Sequence, residues 1–176
     1  NMAFFDKIND FAKNISDKTS DAIETSKLNS KIAAEKLAAN EELLKYERLI
    51  LRMIIRFGEQ ILFQDDDQQD VTVIGYIDSE LRNDELTFST PLHQQILNEA
   101  IAQQANNGFK AERYFLMHEN PTISQFAGNL ISERYQLSKY HSKGQKIIGD
   151  EERLGELIPH LVINYKYAIV GEELKK

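Results

Sequence analysis

The sequence predicts an all-α protein: a helical bundle followed by a C-terminal helical hairpin, with an extra N-terminal helical arm. The 176 residues include only 8 Gly and 3 Pro, which is too few for the many turns of an all-β sandwich. Apolar residues make up 41% of the chain, and they recur at helical spacing. We therefore assign residues 1–42 to the arm, 43–134 to the bundle and 135–176 to the hairpin.

The arm is predicted to be amphipathic. Phe4, Ile8, Phe11 and Ile15 are spaced four, three and four residues apart, so they share one helix face. Six Lys balance six acidic residues over residues 1–40, whereas a membrane-surface helix needs a face rich in Lys and Arg. No Pro or Gly interrupts the arm, which is either one long helix or a helix pair. Three settings remain open: a coiled coil that self-associates, a surface-lying helix and a helix packed on the domain.

The bundle starts with a core helix that is apolar around most of its circumference, from Lys45 to a C-terminal Gly58. An acidic loop follows at 65–70. Residues 71–81 fit a helix, although 71–73 also fit a strand.

Two Pro residues mark further helix starts. The Thr-Pro pair at 90–91 begins a helix that ends near the Asn-Asn-Gly at 106–108, and the Asn-Pro pair at 120–121 begins another. Residues 109–118 form a short element of undetermined type.

The final helical region carries two apolar rows. Asp150 caps it, and Pro159 must kink or divide it. One row comprises Ile158, Leu161, Val162, Tyr165, Ala168 and Ile169. The other, about 150° around the helix axis, comprises Ile163, Tyr167, Val170 and Leu174. A surface helix needs only one apolar face, so either both rows are buried or the second row contacts a partner. We take the second row as the partner-binding face.

No catalytic, metal or cofactor site is predicted. The chain has no Cys, which excludes disulfides, thiolate zinc sites and a cysteine nucleophile. Its histidines, at 93, 118, 141 and 160, lack the i,i+3 or i,i+4 pairing of a helical metal site. The acidic loop lacks the Gly and Glu of a calcium loop, and no GxxxxGK[ST], GxGxxG or GxSxG motif occurs. We expect a chain that is not an enzyme.

The net charge of −7 makes the chain a poor general binder of nucleic acid. One basic cluster contains an aromatic residue, and it is either a single-strand contact or an interhelical loop. It comprises Lys139, Tyr140, Lys143 and Lys146.

Arg48, Arg52 and Arg56 share one helix face, either as a contact stripe for phosphates or carboxylates or as the polar edge of a core helix. No apolar run approaches the ~20 residues of a transmembrane helix, so we expect no membrane association.

Three sequence blocks carry a family resemblance. The first is Lys-Tyr-Glu-Arg-Leu-Ile at 45–50, continuing to Gly-Glu at 58–59. The second is Ala-Glu-Arg-Tyr-Phe-Leu at 111–116, with a His and an Asn-Pro following. The third is Arg-Tyr-Gln-Leu-Ser-Lys-Tyr-His-Ser-Lys at 134–143, followed by Asp-Glu-Glu-Arg-Leu. Through these blocks, residues from about 45 to 176 resemble the C-terminal, helicase-binding domain of bacterial DNA primase of the Bacteroides type. Residues 1–40 are not primase-like.

The resemblance implies both a fold and a role. The family's domain is a helical bundle followed by a helical hairpin, and it performs no chemistry. It docks primase on the N-terminal domain of the replicative helicase, mainly through the hairpin, and so couples priming to unwinding. The resemblance therefore implies a helicase partner and a place at the replication fork in the bacterial cytoplasm. It implies no priming activity, because the zinc and polymerase modules of primase are absent here. The alternative function is a structural module that self-associates through residues 1–40.

Overall fold

The structure is a computed structural model that describes residues 2–133 and 153–174, apart from the side chains at positions 2, 172 and 174. Its elements, in chain order, are α1 (Met2–Phe57), β1 (Ile61–Gln64), β2 (Asp70–Thr72), α2 (Val73–Asn83), α3 (Pro91–Gln103), α4 (Ala111–Leu116), α5 (Pro121–Ser132) and α6 (Leu154–Leu174). The described residues are predominantly helical, with one small sheet, so the all-α prediction is confirmed.

The arm and the first core helix are one continuous helix. α1 has 56 residues and is therefore about 84 Å long at 1.5 Å per residue. Side chains at positions 3–38 are all exposed, and burial begins at Leu43. Of the two forms that the sequence leaves open, the structure shows the single long helix.

The core lies around the C-terminal end of α1. This segment is buried on nearly every side, as the apolar pattern predicts, because α2, α3, α4, α5 and α6 all pack against it. Its buried apolar residues are Leu43, Ile50, Leu51, Met53, Ile54, Ile55 and Phe57.

Gly58 follows α1 because the space there admits no side chain. A Cβ at this position would lie 2.3 Å from the Ile54 carbonyl oxygen and 2.7 Å from Ile74 Cδ1. The φ angle of Gly58 is outside the left-handed region. The prediction that the helix ends here is confirmed, and glycine is required because both the Ile54 carbonyl of α1 and the Ile74 side chain of α2 approach closely.

The acidic segment after α1 is the turn of a two-stranded antiparallel hairpin over residues 61–72. Asp65 Oδ1 accepts hydrogen bonds from the backbone N–H groups of Asp67, at 3.0 Å, and Gln69, at 2.8 Å. The Asp side chain therefore builds the turn. Thr72 ends β2, and its hydroxyl oxygen accepts a hydrogen bond from the first turn of α2. A strand at 71–73 was one of the two predicted forms, and the structure shows it for 70–72, with the helix following.

The Pro-marked boundaries are observed at α3 and α5, which begin at Pro91 and Pro121. Pro159 lies inside α6 and does not divide it. The other half of the predicted C-terminal hairpin, with Asp150 as the predicted cap, lies outside the described residues.

A buried carboxylate connects α1 to the other helices. Glu47 is fully buried, and its Oε1 lies 2.8 Å from His93 Nδ1. Its Oε2 accepts hydrogen bonds from the Ser89 backbone N–H at 2.9 Å, the Ser89 hydroxyl at 2.7 Å and the Tyr165 hydroxyl at 3.3 Å.

Burial alone raises the pKa of Glu47, but the hydrogen bonds from His93 and Ser89 outweigh it and hold the pKa below its ordinary value. The carboxylate is therefore ionised at neutral pH. Because an ionised carboxylate only accepts, His93 Nδ1 carries a proton.

Replacing Glu47 by Gln keeps the size of the side chain but removes the charge, and one of its amide hydrogens then faces another donor. We expect the free energy of unfolding at neutral pH to fall by about 1–3 kcal/mol. Glu41→Gln, at an exposed position of the same helix, should change it by less than about 0.5 kcal/mol. Urea titration of both variants measures the difference.

The same comparison should depend on pH with a defined sign. Because the pKa of Glu47 is lowered on folding, its stabilisation is present above the unfolded value of about 4.3 and is lost as pH falls through the folded value. Gln does not titrate. The difference in the free energy of unfolding between the parent chain and Glu47→Gln should therefore narrow as pH is lowered towards the folded pKa. A difference that widens would contradict this account.

Candidate functional site

The first apolar row of α6 faces the core. Ile158, Leu161, Val162 and Tyr165 are buried, and Ala168 and Ile169 are partly buried against the same cluster. The 3.6-residue periodicity therefore assigns the inner side of this helix correctly.

Two polar residues fix the rotation of α6 about its axis. The Tyr165 hydroxyl donates to Glu47 and lies 3.4 Å from the Thr87 carbonyl oxygen. Lys166 Nζ lies 2.8 Å from Glu80 Oε2 and also contacts the Asp84 carboxylate. Burial lowers the pKa of Lys166, but the hydrogen bonds to Asp84 and Glu80 outweigh it and raise the pKa, so Lys166 stays charged. These two residues are about 100° apart on the helix, and together they determine which face of α6 is turned outward.

The second row lies on that outward face. Ile163 is 49% exposed, Tyr167 is 72% exposed and Val170 is 52% exposed. The fourth predicted member, Leu174, ends α6, and its side chain is not among those described. Since three members of the row are exposed, the alternative in which both rows are buried is wrong.

The outward row borders a groove between α6 and the base of the arm. A cavity of about 200 Å³ lies there, with Ala39 and Tyr46 of α1 on one side and Asn164, Tyr167 and Gly171 of α6 on the other. We call the outward row, together with this groove, the α6 face. Tyr167 belongs to both parts and is the largest exposed side chain of the α6 face.

A larger cavity of about 930 Å³ lies on the far side of Asn164, between α1, α5 and α6. Its charged residues have both signs: Lys45, Arg48, Arg52 and Arg153 against Glu41, Glu133 and Glu156. This mixture gives no uniform field for an anionic ligand.

The arginine stripe on α1 is the polar edge of a core helix. Arg48 Nη2 pairs with Glu133 Oε1, and its guanidinium lies 5.6 Å from the centre of the Phe126 ring. Arg52 is buried, and Arg56 lies 4.8 Å over the ring of Phe57. The sequence left a contact stripe open as the other interpretation, and these local contacts favour the polar edge.

A second polar cluster joins α3, α4 and α5. His118 Nε2 and the Tyr114 hydroxyl both contact Glu99 Oε1, at 2.8 Å and 3.1 Å. His118 Nδ1 accepts a hydrogen bond from the Asn120 backbone N–H, so the proton of this imidazole is on Nε2. Burial, followed by the hydrogen bond to Glu99, raises the pKa of Tyr114. Both ring nitrogens of His118 thus already have partners, Nε2 with Glu99 of α3 and Nδ1 with Asn120 at the start of α5.

Neither carboxylate–histidine pair has the arrangement of a nucleophile and its base. In a Ser–His arrangement, the serine hydroxyl is hydrogen-bonded to the imidazole that acts as its base. Ser89 and His93 both bond to Glu47 instead of to each other. These pairs could not be predicted from the sequence, because no local spacing marks a contact between residues 46 or 19 positions apart. In the described part of the chain, no group of three or more His, Asp or Glu residues could hold a metal ion.

The predicted nucleic-acid cluster lies outside the described residues. Its members are Lys139, Tyr140, Lys143 and Lys146. Among the helices that the structure does describe, none has the length and apolar content that crossing a bilayer requires.

One comparison with known proteins identifies a family. The family described as Domain of unknown function (DUF8430) matches residues 30–176. No curated protein and no solved structure matches the chain. The matched range includes the bundle, the α6 face and the part of the arm next to the bundle.

Two tyrosines on α6 test the inner and outer assignment. Tyr165 is 1% exposed and Tyr167 is 72% exposed, although they are only two residues apart. We expect Tyr165→Ala to lower the free energy of unfolding by about 3–5 kcal/mol, because it empties a core position. Tyr167→Ala should change it by less than about 0.5 kcal/mol. Chemical denaturation of the two variants measures this, and equal losses would contradict the assignment.

Proposed function

The chain belongs to the family described as Domain of unknown function (DUF8430), and we propose that it is a non-catalytic protein-interaction module that docks through the α6 face. One observation carries this proposal: an apolar row remains exposed on a helix whose rotation is fixed by buried and partly buried polar contacts with the bundle. Removing such a row from water is favourable, and contiguous exposed apolar surface is characteristic of binding sites.

The spacing of the row suits a groove on the partner. Ile163, Tyr167 and Val170 occupy positions i, i+4 and i+7, which is the pattern of a helix whose apolar face lies in a hydrophobic groove. Tyr167 is central and aromatic, and aromatic residues at the centre of an interface carry much of its binding energy. We therefore assign Tyr167 as the main anchor, with Ile163, Val170 and Leu174 beside it.

The proposed partner is the N-terminal domain of the replicative helicase, with a place at the bacterial replication fork. This part of the proposal rests on the primase-like sequence blocks. Two of these blocks lie in described elements, at the C-terminal end of α1 and across α4 into α5. The net charge of −7 also suits a protein partner better than a phosphate backbone.

The test is a calorimetric titration of the whole chain into the N-terminal domain of the replicative helicase. We expect saturable binding that Tyr167→Asp weakens by about 30-fold or more, which corresponds to about 2 kcal/mol. Met117→Asp is the matched control, because Met117 is 71% exposed and lies at the end of α4, away from α6. Circular dichroism checks that both variants remain folded.

The outcomes separate the two parts of the proposal. Equal binding by the Tyr167→Asp and Met117→Asp variants would remove the α6 face as the docking surface. An absence of binding by the unaltered chain would remove the helicase as the partner.

A further inference from the structure

The arm carries a second exposed apolar row, far from α6. Phe4 is 62% exposed, Ile8 46%, Phe11 67% and Ile15 49%. Every side chain from position 3 to 38 is exposed, so this part of α1 projects from the bundle. We propose that this row, the arm row, pairs with the arm row of a second copy of the chain in a short antiparallel coiled coil.

The spacing of the arm row sets the length of the pairing. Its members alternate at intervals of four and three residues, which are the core positions of a seven-residue repeat. The next core position is Lys18. A Lys at the seam opposes tight packing, so the paired segment ends before it and covers residues 4–15.

The same Lys favours the antiparallel arrangement. In a parallel pair, identical positions face each other, and the two Lys18 side chains would meet at the seam. In an antiparallel pair, Phe4 faces Ile15 and Ile8 faces Phe11, so four apolar layers complete the row and Lys18 lies beyond its end. The opposed helix dipoles also attract each other in this arrangement.

The apolar area is sufficient for a dimer. Phe5, beside the row, is 65% exposed. With about 200 Å² for a fully exposed Phe and somewhat less for Ile, the four side chains of the row expose about 430 Å² per copy, and Phe5 at its edge adds up to about 130 Å². Two copies together would cover about 900–1,100 Å², which is close to the ~1,000 Å² expected of a specific interface and lies at its small end. The dimer should therefore depend on concentration.

The charges of the arm argue against a membrane as the occupant. Residues 2–24 contain three Lys and five acidic residues. A surface-lying helix binds anionic lipid through a polar face rich in Lys and Arg, and this polar face is net negative. A second copy brings the same mixed charges, which stay on the outside of the pair.

Sedimentation of the whole chain over a range of concentrations tests the pairing. We expect a monomer–dimer equilibrium in which Phe11→Asp raises the dissociation constant at least tenfold. Leu28→Asp is the control, since Leu28 is 57% exposed on the same arm but lies about 100° from Phe11 around the helix. We expect Leu28→Asp and Tyr167→Asp to change the constant less than twofold.

The orientation has its own measurement. Because the chain has no Cys, a single Lys27→Cys substitution takes one spin label per copy. Antiparallel arms that overlap at 4–15 place the two labels about 50 Å apart, whereas parallel arms place them within about 20 Å. Pulsed electron paramagnetic resonance between the two spin labels distinguishes these distances.

Four results would overturn the proposal. Three are a monomer at every concentration, a label distance below about 20 Å, and a dimer that Tyr167→Asp disrupts while Phe11→Asp does not. The fourth is a chain that stays monomeric but binds vesicles containing phosphatidylserine, with Phe11→Asp abolishing that binding, which would assign the arm row to a membrane.

Discussion

The ionised Glu47 carboxylate is the constraint on which the arrangement of the bundle depends. A charge buried in the core is tolerated only when its oxygens are fully hydrogen-bonded. Its donors come from the segment before α3, from α3 itself and from α6. All of these elements must therefore be in place together. The position of Tyr165 is part of this requirement, so the carboxylate in α1 also determines which row of α6 is turned outward.

Local patterns in the sequence predict the elements and their faces well. The two rows of α6 follow from helical periodicity, because burial repeats with the same period as the backbone. The starts of α3 and α5 follow from Pro91 and Pro121, whose missing N–H suits a first helical position. The β-hairpin at 61–72 is only partly predictable, because residues 71–73 fit either a strand or a helix until their pairing with β1 is known.

The polar network could not be predicted in the same way. The contacts of Glu47 with Ser89, His93 and Tyr165 span 42, 46 and 118 residues. No spacing rule connects such positions, and each of these residue types also occurs commonly on protein surfaces. The ion pair of Arg48 could not be predicted for the same reason, because its acidic partner Glu133 is 85 residues away. Sequence therefore predicts the two apolar rows of α6, whereas the exposure of the second row and the contacts that hold it outward appear only in the folded structure.

The single long helix relates the two proposed interaction surfaces to each other. A seven-residue repeat rotates by about 20° per repeat around a straight helix, so Leu43, five repeats after Ile8, lies about 100° around α1 from Ile8 of the arm row. A continuous helix also fixes distance, unlike a flexible linker. If the arms pair as proposed, the two bundles are held about 100 Å apart, measured between the Leu43 positions. Such a dimer gains avidity only from a partner assembly whose sites match that separation. The arm would then select among partner arrangements by geometry, while the α6 face selects the partner by its chemistry.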